Sequence, residues 1–539
     1  MKKKKLKKSN PEKREKESAE NKKEREIKGA ILKLTTIDII AIIIITGFYG
    51  YIYLTNISAY DSLMYDEAGY ITMGRTLAVE HYHGIDVQGT KESYRQPFFP
   101  MMLAASFLIF GVSYTAAKIP IIASAILTML IIYLLVKEMY NREIAFFSSA
   151  MLGGIPLILP YVQNILSDIP SVLFYTIAML AFYIGIEKKK PKYLYISWLS
   201  FGLTFLIRYN AILIIPSIAI YLTIKIITNQ TSLKDLAKNR DLILSPLAAL
   251  IPLAPYFIYQ HLTFGDAFIG IKQARGALNM QWGAGAWHTY LTQAPQYLTW
   301  LGFTLAILGI IWTLYKKDKF AIFMLTWIIV PLAYFSIQIL KDLRLIDTLA
   351  PPLAILAALG AFKIIAKLTE RDLKLTKTTS LILPSIMLIY IIYTGYTAVL
   401  PRYQQIHALG YPSLQESGDW IQQNTNKDAV LMTASEPGHQ WYSYRKTVGY
   451  PAKQEQLINT IHEKNIDYII IDDYERMQPQ YMVTLYYTYF AKETGELRHK
   501  EDEQKIKIAG DRILFDQYRG STTIIIPKDL FIERINEQQ

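Results

Sequence analysis

Residues 34 to 54 read LTTIDIIAIIIITGFYGYIYL, an apolar run with a single charged residue, Asp38. A helix of this length is long enough to cross the hydrocarbon core of a bilayer. Asp38 lies near one end of the run, where a short carboxylate reaches water, and we expect it to be structural. The run therefore predicts a membrane-spanning helix from which the rest of the chain can be interpreted.

The composition extends this reading to most of the chain. Of its 539 residues 52% are hydrophobic and only 19% are charged, and apolar runs of about 18 or more residues recur along the first three quarters. This pattern predicts a polytopic α-helical membrane protein. The chain has no cysteine, which excludes disulfides and thiolate zinc or iron-sulfur sites. The net charge of +12 lies largely in an amino-terminal tail and in short loops, so we expect no nucleic-acid partner.

The amino-terminal residues 1–30 are rich in lysine and glutamate and have few apolar side chains. They predict a disordered basic tail. By the positive-inside rule the tail lies in the cytoplasm and the first helix runs outward. We expect no cleavable signal peptide, since no small-residue cleavage pattern ends the first apolar run.

The topology of the membrane part, residues 31–400, depends on Pro97 to Phe110. This run has about 14 residues, too few for an upright span, and we interpret it as an interfacial helix. Every short basic loop then falls on the cytoplasmic side, as the rule requires. The resulting eleven predicted spans are 34–54, 116–137, 144–165, 169–187, 193–208, 210–227, 241–262, 297–315, 320–340, 346–367 and 378–400.

The composition changes after Pro401 to that of a soluble protein. Strand-like runs at 429–432, 468–472 and 522–526 are separated by helical patterns, one of them near 454–462. Residues 401–539 therefore predict a small α/β domain. An odd number of spans places this domain outside the cytoplasm.

Two adjacent acids follow the first span in the stretch Tyr65-Asp66-Glu67-Ala68-Gly69-Tyr70. Acids side by side near a membrane face indicate chemistry. An ordinary surface helix that begins with acidic residues also fits the pattern, because negative charge suits the first turn. The two interpretations differ in what they predict for Asp66→Asn, which a helix start would tolerate.

Further charged residues occur in a recognisable order between the apolar runs. They are Tyr94-Arg95-Gln96-Pro97 before the interfacial helix, Ser167-Asp168 between two spans, Arg208 after the next, and Arg344 ahead of Leu349-Ala350-Pro351-Pro352. Together with Asp66-Glu67 this order resembles that of the GT-C glycosyltransferases of the protein mannosyltransferase and aminoarabinose transferase group. The resemblance covers roughly residues 34 to 370.

The resemblance implies an inverting membrane enzyme that transfers a sugar from a polyprenyl-phosphate carrier. The acceptor, on the extracytoplasmic face, would be a protein, a lipid or a glycan with a hydroxyl group. Asp66 would be the general base and Glu67 a group that positions the substrate. Three arginines would contact the carrier phosphate, namely Arg95, Arg208 and Arg344. Asp168 would shape the donor site.

We expect no cofactor. We also expect no metal, since His81 and His83, at i and i+2, do not share a helix face. Arg208 would also suit lipid headgroups at a helix end, and Ser167-Asp168-Ile169-Pro170 would suit a helix start. The aromatic loop from Gln281 to His288 is more typical of interfacial anchoring than of sugar stacking. A transporter or lipid-sugar flippase, and a noncatalytic envelope scaffold, are the alternatives to an enzyme.

Overall fold

A computed structural model describes most of the chain between residues 34 and 536. The described residues are 34–55, 63, 65–84, 91–277, 283–369, 379–408, 412–472, 479–489, 507–509, 512–515 and 523–536. The predicted tail 1–30 and the first two residues of the aromatic loop, 281 and 282, lie outside them.

The membrane part is a bundle of helices of unequal length. In chain order its α-helices are α1 Thr36–Leu54, α2 Tyr65–Arg75, α3 Phe98–Phe110, α4 Tyr114–Met139, α5 Arg142–Gly154, α6 Leu159–Val162, α7 Asp168–Glu187, α8 Lys192–Phe205, α9 Ile214–Ile227, α10 Leu233–Lys238, α11 Arg240–Leu244, α12 Leu250–Phe264, α13 Ile269–Ala277, α14 Thr289–Thr292, α15 Ala294–Leu298, α16 Trp300–Lys316, α17 Lys319–Ile337, α18 Ala350–Thr369 and α19 Thr379–Ala408. A π-helical turn, Thr76–Glu80, follows α2, and 3-10 turns lie at Tyr209–Leu213, Ser245–Ala249, Leu343–Leu345 and Asp347–Leu349.

Seven helical segments of the described chain are long and apolar enough to cross a membrane. They are Thr36–Leu54, Tyr114–Met139, Asp168–Glu187, Tyr209–Ile227, Arg240–Phe264, Lys319–Ile337 and Leu381–Val399. The polytopic helical fold is therefore confirmed, whereas the number of eleven spans is not. The predicted interfacial run forms α3, whose 13 residues agree with a helix too short to span.

The remaining predicted spans differ from the helices in bounds or continuity. The predicted span 144–165 is interrupted, because α5 ends at Gly154 and only a four-residue helix follows. Pro156 and Pro160 explain the break, since proline has no N–H to donate and crowds the preceding turn. The spans predicted at 193–208 and 297–315 are helices of 14 and 17 residues. The helix predicted over 346–367 begins at Ala350.

Asp38 at the start of α1 joins three helices. Its side chain is fully buried and pairs with Lys137 at 3.2 Å and Arg142 at 3.0 Å, and the Tyr133 hydroxyl donates to it at 2.9 Å. The expected contact with water was therefore wrong, because α4 and α5 cover the carboxylate. Its structural role fits these contacts, since buried charges persist where they are paired.

The carboxyl-terminal region contains a six-stranded sheet flanked by helices. Its strands are β1 Val430–Met432, β2 Lys446–Val448, β3 Tyr468–Asp472, β4 Lys507–Ala509, β5 Arg512–Phe515 and β6 Thr523–Pro527. Its helices are α20 Pro412–Asn424, α21 Glu436–Ser443, α22 Leu457–Glu463, α23 Gln480–Tyr489 and α24 Lys528–Asn536, with a 3-10 turn at Gln454–Gln456. The strand order is β2-β1-β3-β6-β5-β4, with β1 parallel to β2 and β3 and the remaining pairs antiparallel.

Alternating side chains of the central strands fill two layers of core. Ile469 and Ile471 pack with α22 and α24 on one face, whereas Ile470 packs with Ile421 of α20 on the other. This two-residue period is what a strand buried on both faces requires. The predicted strands at 429–432, 468–472 and 522–526 are confirmed. Helix α19 continues past residue 401 to Ala408, and a domain division at 401 stays a prediction.

Candidate active site

Asp66 lies in the first turn of α2, at the end of the bundle where α1 finishes. Its Oδ1 accepts a hydrogen bond from Arg95 Nη2 at 3.0 Å, and its Oδ2 accepts one from Arg344 Nη1 at 3.0 Å. The side chain stays 42% exposed. Burial alone would raise the pKa of Asp66, but the two guanidinium groups outweigh it and hold the pKa below its usual value. Each carboxylate oxygen thus has its own cation while the group remains accessible.

Arg95 lies across the first turns of α2 because residue 69 is glycine. A Cβ at Gly69 would come within 3.2 Å of the guanidinium carbon. The same carbon is 5.7 Å from the ring centroid of Tyr70, and Arg95 Nη1 is 3.4 Å from Glu92 Oε2. Burial lowers the pKa of Arg95, but Asp66 and Glu92 raise it above its ordinary value. Arg95 is therefore a permanent, oriented cation.

Arg344 joins Asp66 to the first residue of α7. Its Nε donates to Asp168 Oδ1 at 3.1 Å and its Nη2 to Asp168 Oδ2 at 3.3 Å, while Nη1 contacts Asp66. The Asp168 side chain is fully buried. Ser167 does not cap α7 with its side chain, and its hydroxyl lies 3.2 Å from the Tyr70 hydroxyl instead. The sequence around Asp168 thus starts a helix and also supplies a buried anion to the site.

Arg208 lies on the far side of Asp168. Its Nη1 is 2.6 Å from Asp168 Oδ1 and 3.8 Å from Asp347 Oδ2, and its side chain is 15% exposed. An arginine that extends into lipid headgroups would have a more exposed side chain than this one. Burial lowers the pKa of Arg208, but Asp168 and Asp347 raise it above its ordinary value.

Glu67 does not join these ion pairs. It is 3% exposed, and its Oε1 accepts a hydrogen bond from the backbone N–H of Ile165 at 2.7 Å. The bond ties α2 to the loop that leads into α7. Of the six predicted site residues, the fold gathers five into one cluster and uses Glu67 to hold two elements of that cluster together.

Two carboxylates of the cluster were missed by the sequence reasoning. Glu92 precedes Arg95 by three residues, and Asp347 follows Arg344 by three. Asp347 is fully buried in its 3-10 turn, and its oxygens have no hydrogen-bond donor among the described residues. The available signal was an acid three residues from two of the three predicted arginines, Arg95 and Arg344.

The remaining predicted candidates lie around the cluster or apart from it. A ring nitrogen of His83, Nε2, lies 3.1 Å from the carbonyl oxygen of Arg95, and this contact supports the backbone of the arginine loop. The described part of the aromatic loop includes Trp287, which is 66% exposed. Over the described residues, no group of three or more histidine, aspartate or glutamate side chains could hold a metal ion.

The cluster is a line of alternating charges. In spatial order it runs Glu92, Arg95, Asp66, Arg344, Asp168, Arg208 and Asp347. Four acids and three arginines leave it without excess positive charge when all are ionised. An incoming phosphate must therefore compete with carboxylates for each guanidinium. Such a line can bind an anion and release a carboxylate in the same step.

Part of the chain is similar in sequence to known proteins. Residues 94–259 match the family model of dolichyl-phosphate-mannose-protein mannosyltransferase, a range that includes Arg95, Asp168 and Arg208. The undecaprenyl phosphate-alpha-4-amino-4-deoxy-L-arabinose arabinosyl transferase of Wigglesworthia glossinidia brevipalpis is 24% identical over 362 residues, covering 65% of this chain and 64% of that protein. The transferase of the same name from Aeromonas hydrophila subsp. hydrophila is 26% identical over 277 residues, covering 49% of this chain and 50% of that protein. The chain thus matches less than two thirds of the length of either relative.

Structure comparison extends the likeness over most of the chain. ArnT from Cupriavidus metallidurans bound to undecaprenyl phosphate superposes with a TM-score of 0.64 at 12% identity, covering 90% of this chain and 97% of that protein. The archaeal oligosaccharyltransferase AglB from Archaeoglobus fulgidus, in complex with an inhibitory peptide and a dolichol-phosphate, superposes with a TM-score of 0.54 at 13% identity. That match covers 80% of this chain and 69% of AglB. The chain therefore shares its overall fold with these transferases, and the predicted GT-C-like fold is confirmed.

Proposed function

We propose that the chain is a membrane glycosyltransferase that takes a sugar from a polyprenyl-phosphate carrier and transfers it, with inversion, to a hydroxyl-bearing acceptor. Asp66 is the general base. The observation that carries this proposal is the pairing of Asp66 with two arginines at an accessible end of the bundle. A base beside a phosphate-binding pair of cations is what displacement from a phosphate carrier needs.

The choice of Asp66 over Asp168 follows from exposure. The Asp168 side chain is fully buried between two arginines, so an acceptor hydroxyl has no route to it. The Asp66 side chain is 42% exposed and contacts the same Arg344. A general base must come within hydrogen-bond reach of the proton that it removes. Asp168 instead orients Arg208 and Arg344.

The displacement balances with one base and one leaving phosphate. The acceptor oxygen bonds to the anomeric carbon and its proton passes to Asp66, while the bond from that carbon to the phosphate oxygen breaks. The electron pair of the broken bond stays on the phosphate. Since phosphate leaves as a stable anion, no acid is needed to protonate it, in contrast to glycoside hydrolysis. Arg95, Arg208 and Arg344 stabilise the added charge.

Binding of the carrier also prepares the base. In the structure Asp66 is held by Arg95 and Arg344, which keep its pKa low and make it a weak proton acceptor. A carrier phosphate that attracts these guanidinium groups reduces their hold on Asp66, and the pKa of Asp66 rises toward its ordinary value. The base is thus strongest when a donor is present.

The comparisons favour a particular donor for the first test. Both sequence relatives are named as arabinosyl transferases that use undecaprenyl phosphate, so an undecaprenyl-phosphate aminopentose is the first choice. The family model is named for dolichyl-phosphate mannose, which makes a polyprenyl-phosphate hexose the second. We place the site on the extracytoplasmic face, with the amino terminus in the cytoplasm and the carboxyl-terminal domain outside, because that topology satisfies the positive-inside rule.

The test is release of labelled sugar from the carrier. Purified protein in nanodiscs is given either donor, with and without a lipid extract as source of acceptor, and label is followed from carrier to acceptor. Transfer from one donor supports the proposal. A protein that moves either donor across vesicle membranes but never removes its sugar would contradict it and favour a flippase.

A further inference from the structure

The helix that carries Asp66 also contacts the carboxyl-terminal region. Helix α21, Glu436–Ser443, packs on α2. Arg75 is the last residue of α2 and is 3% exposed. Its guanidinium carbon lies 4.2 Å from the ring centroid of Tyr444 and 5.4 Å from that of Trp441. Arg75 Nη1 also donates to the Trp441 carbonyl oxygen at 3.5 Å. The two ends of α2 therefore have different partners, the acid cluster at one and aromatic rings at the other.

The contact at Arg75 depends on aromatic faces rather than on an ion pair. Among the described residues, Arg75 Nε and Nη2 have no hydrogen-bond partner, and the Tyr444 hydroxyl and the more distant Glu80 are the polar groups that act most on the guanidinium. A buried cation that lacks a carboxylate is costly, and an aromatic face within about 6 Å compensates part of that cost. Loss of the Tyr444 ring would thus leave the Arg75 charge poorly compensated. We expect the end of α2 to move toward water in response.

Tyr444 has an unfavourable backbone conformation that brings its ring to Arg75. It is the C-cap of α21, with φ 55° and ψ 32°, in the left-handed region. Glycine is the usual residue at such a helix end, because a side chain crowds this conformation. A strained residue persists where its surroundings require it, and such residues cluster at functional contacts. At Tyr444 the strained position places an aromatic ring against Arg75, a contact that glycine could not make.

We infer that residues 436–445 hold the Asp66 helix in its working orientation through the contact of Tyr444 with Arg75. Arg75 and Tyr444 are positioning residues. The inference rests on the proposed function, since it assigns the carboxyl-terminal region a part in the same transfer. Helix α2 has 11 residues, so Asp66 and Arg75 are about 13 Å apart along its axis. A tilt at Arg75 displaces Asp66 from the two arginines, and misplacement of about 1 Å can lower a rate about 100-fold.

Tyr444→Gly separates positioning from folding. Glycine suits the left-handed conformation, and the relief of backbone strain offsets part of the stability lost with the ring, so the variant should unfold at a temperature close to that of the wild type. We expect kcat to fall at least about 10-fold while the donor dissociation constant stays within about 2-fold. Tyr444→Phe keeps a ring and should retain more activity than the glycine variant. Arg75→Lys should likewise retain more than Arg75→Ala.

Lys317→Gly is the matched control. Lys317 is also a helix C-cap in the left-handed region, with φ 51° and ψ 42°, and it lies at the end of α16. Its replacement by glycine relieves the same kind of strain without touching α2. We expect its kcat to match that of the wild type. A similar fall of kcat in both glycine variants would overturn the inference, because the effect would then not depend on Arg75.

Hydrogen exchange provides a readout that does not need transfer. Amides of residues 66–75 should exchange faster in Tyr444→Gly than in the wild type, and at the wild-type rate in Lys317→Gly. Unchanged exchange in Tyr444→Gly, or faster exchange with unchanged kcat, overturns the inference. Failure of the wild type to transfer any sugar overturns the proposed function instead, and the exchange rates still decide whether residues 436–445 hold α2.

Discussion

Asp66 and Arg344 are 278 residues apart in the chain, yet Arg344 Nη1 donates to Asp66 Oδ2 at 3.0 Å. The same guanidinium holds Asp168 through its other nitrogens. The first acid of the site is therefore linked to the first residue of α7 by a single side chain. Any anion that binds Arg344 therefore changes the surroundings of both acids.

Replacement of Arg95 should change the pH dependence of the reaction. Arg95 is one of two groups that hold the pKa of Asp66 below its usual value, so Arg95→Ala raises that pKa. The base works only when deprotonated. The acid limb of kcat/KM, which reports the free enzyme, should therefore move to higher pH. In the wild type the acid limb of kcat should already lie at higher pH than that of kcat/KM. Bound donor attracts the two arginines, which then lower the pKa of Asp66 less. Coincident limbs in the wild type and no shift in Arg95→Ala would contradict the arrangement.

Replacement of Arg344 should weaken donor binding more than replacement of an ordinary surface cation. Loss of a charge-assisted contact to phosphate costs about 1.5 to 3 kcal/mol, so we expect the dissociation constant of Arg344→Ala for donor to rise about 10- to 150-fold. Lys272→Ala is the control, since Lys272 is 70% exposed and pairs with Asp266, which is not a member of the cluster. Isothermal titration with the donor in nanodiscs measures both. Equal affinities in the two variants would exclude Arg344 as a phosphate ligand.

The two buried acids of the cluster should differ in their effect on stability. Asp168 lies within 3.1 Å of both Arg208 and Arg344, so Asp168→Asn removes the nearest carboxylate of Arg208 and one of the two carboxylates of Arg344, and should cost about 3 kcal/mol. Asp347 has only the 3.8 Å contact with Arg208, and its oxygens lack donors among the described residues. Asp347→Asn replaces a carboxyl group that has no hydrogen-bond donor among these residues and one distant cation, and should change the melting temperature little. Thermal unfolding in detergent compares them, and the reverse ranking would disprove this account of the cluster.

The membrane orientation can be tested with introduced cysteines, because the chain has none. Asn424→Cys in the carboxyl-terminal region should react with an impermeant thiol reagent on intact cells. Lys189→Cys, in a basic loop, should react only after lysis. The expected pattern follows from the positive-inside rule with α3 lying in the interface. Labelling of Lys189→Cys on intact cells would invert the orientation and place the Asp66 cluster in the cytoplasm.

The fold could be predicted where a pattern in neighbouring residues determines the secondary structure. Apolar runs identified the long helices, and runs of isoleucine identified β3 and β6, because these patterns arise from burial against lipid or within a sheet. The break after Gly154 was missed because the surrounding run stays apolar through Pro156 and Pro160, although both prolines were visible. The short strands β4 and β5 were also missed. They have three and four residues, and their pairing depends on partners that are distant in sequence.

The site could be predicted as a set of residues but not as a set of contacts. Asp66, Arg95, Asp168, Arg208 and Arg344 came from the order of charges between apolar runs. The alternation of acids and arginines in space depends on how α2, α7 and the 3-10 turn before α18 pack together. No local sequence pattern encodes that packing. Asp347 was missed for this reason, since its predicted place was the start of an apolar span. Glu67 was assigned to the substrate because it adjoins Asp66, yet successive residues of a helix point in different directions.

Asp66→Asn tests the central claim most directly. Asparagine keeps the size of aspartate and its ability to accept hydrogen bonds, but it cannot take up the acceptor proton, so kcat should fall by about 100-fold or more. Glu67→Gln is the comparison, since Glu67 binds the Ile165 backbone and should affect turnover less. The measurement is single-turnover release of sugar from the donor in nanodiscs, with donor binding followed in parallel. The account predicts that Asp66→Asn binds donor and releases almost no sugar. Turnover of Asp66→Asn close to that of the wild type would contradict it and remove the general base from the mechanism.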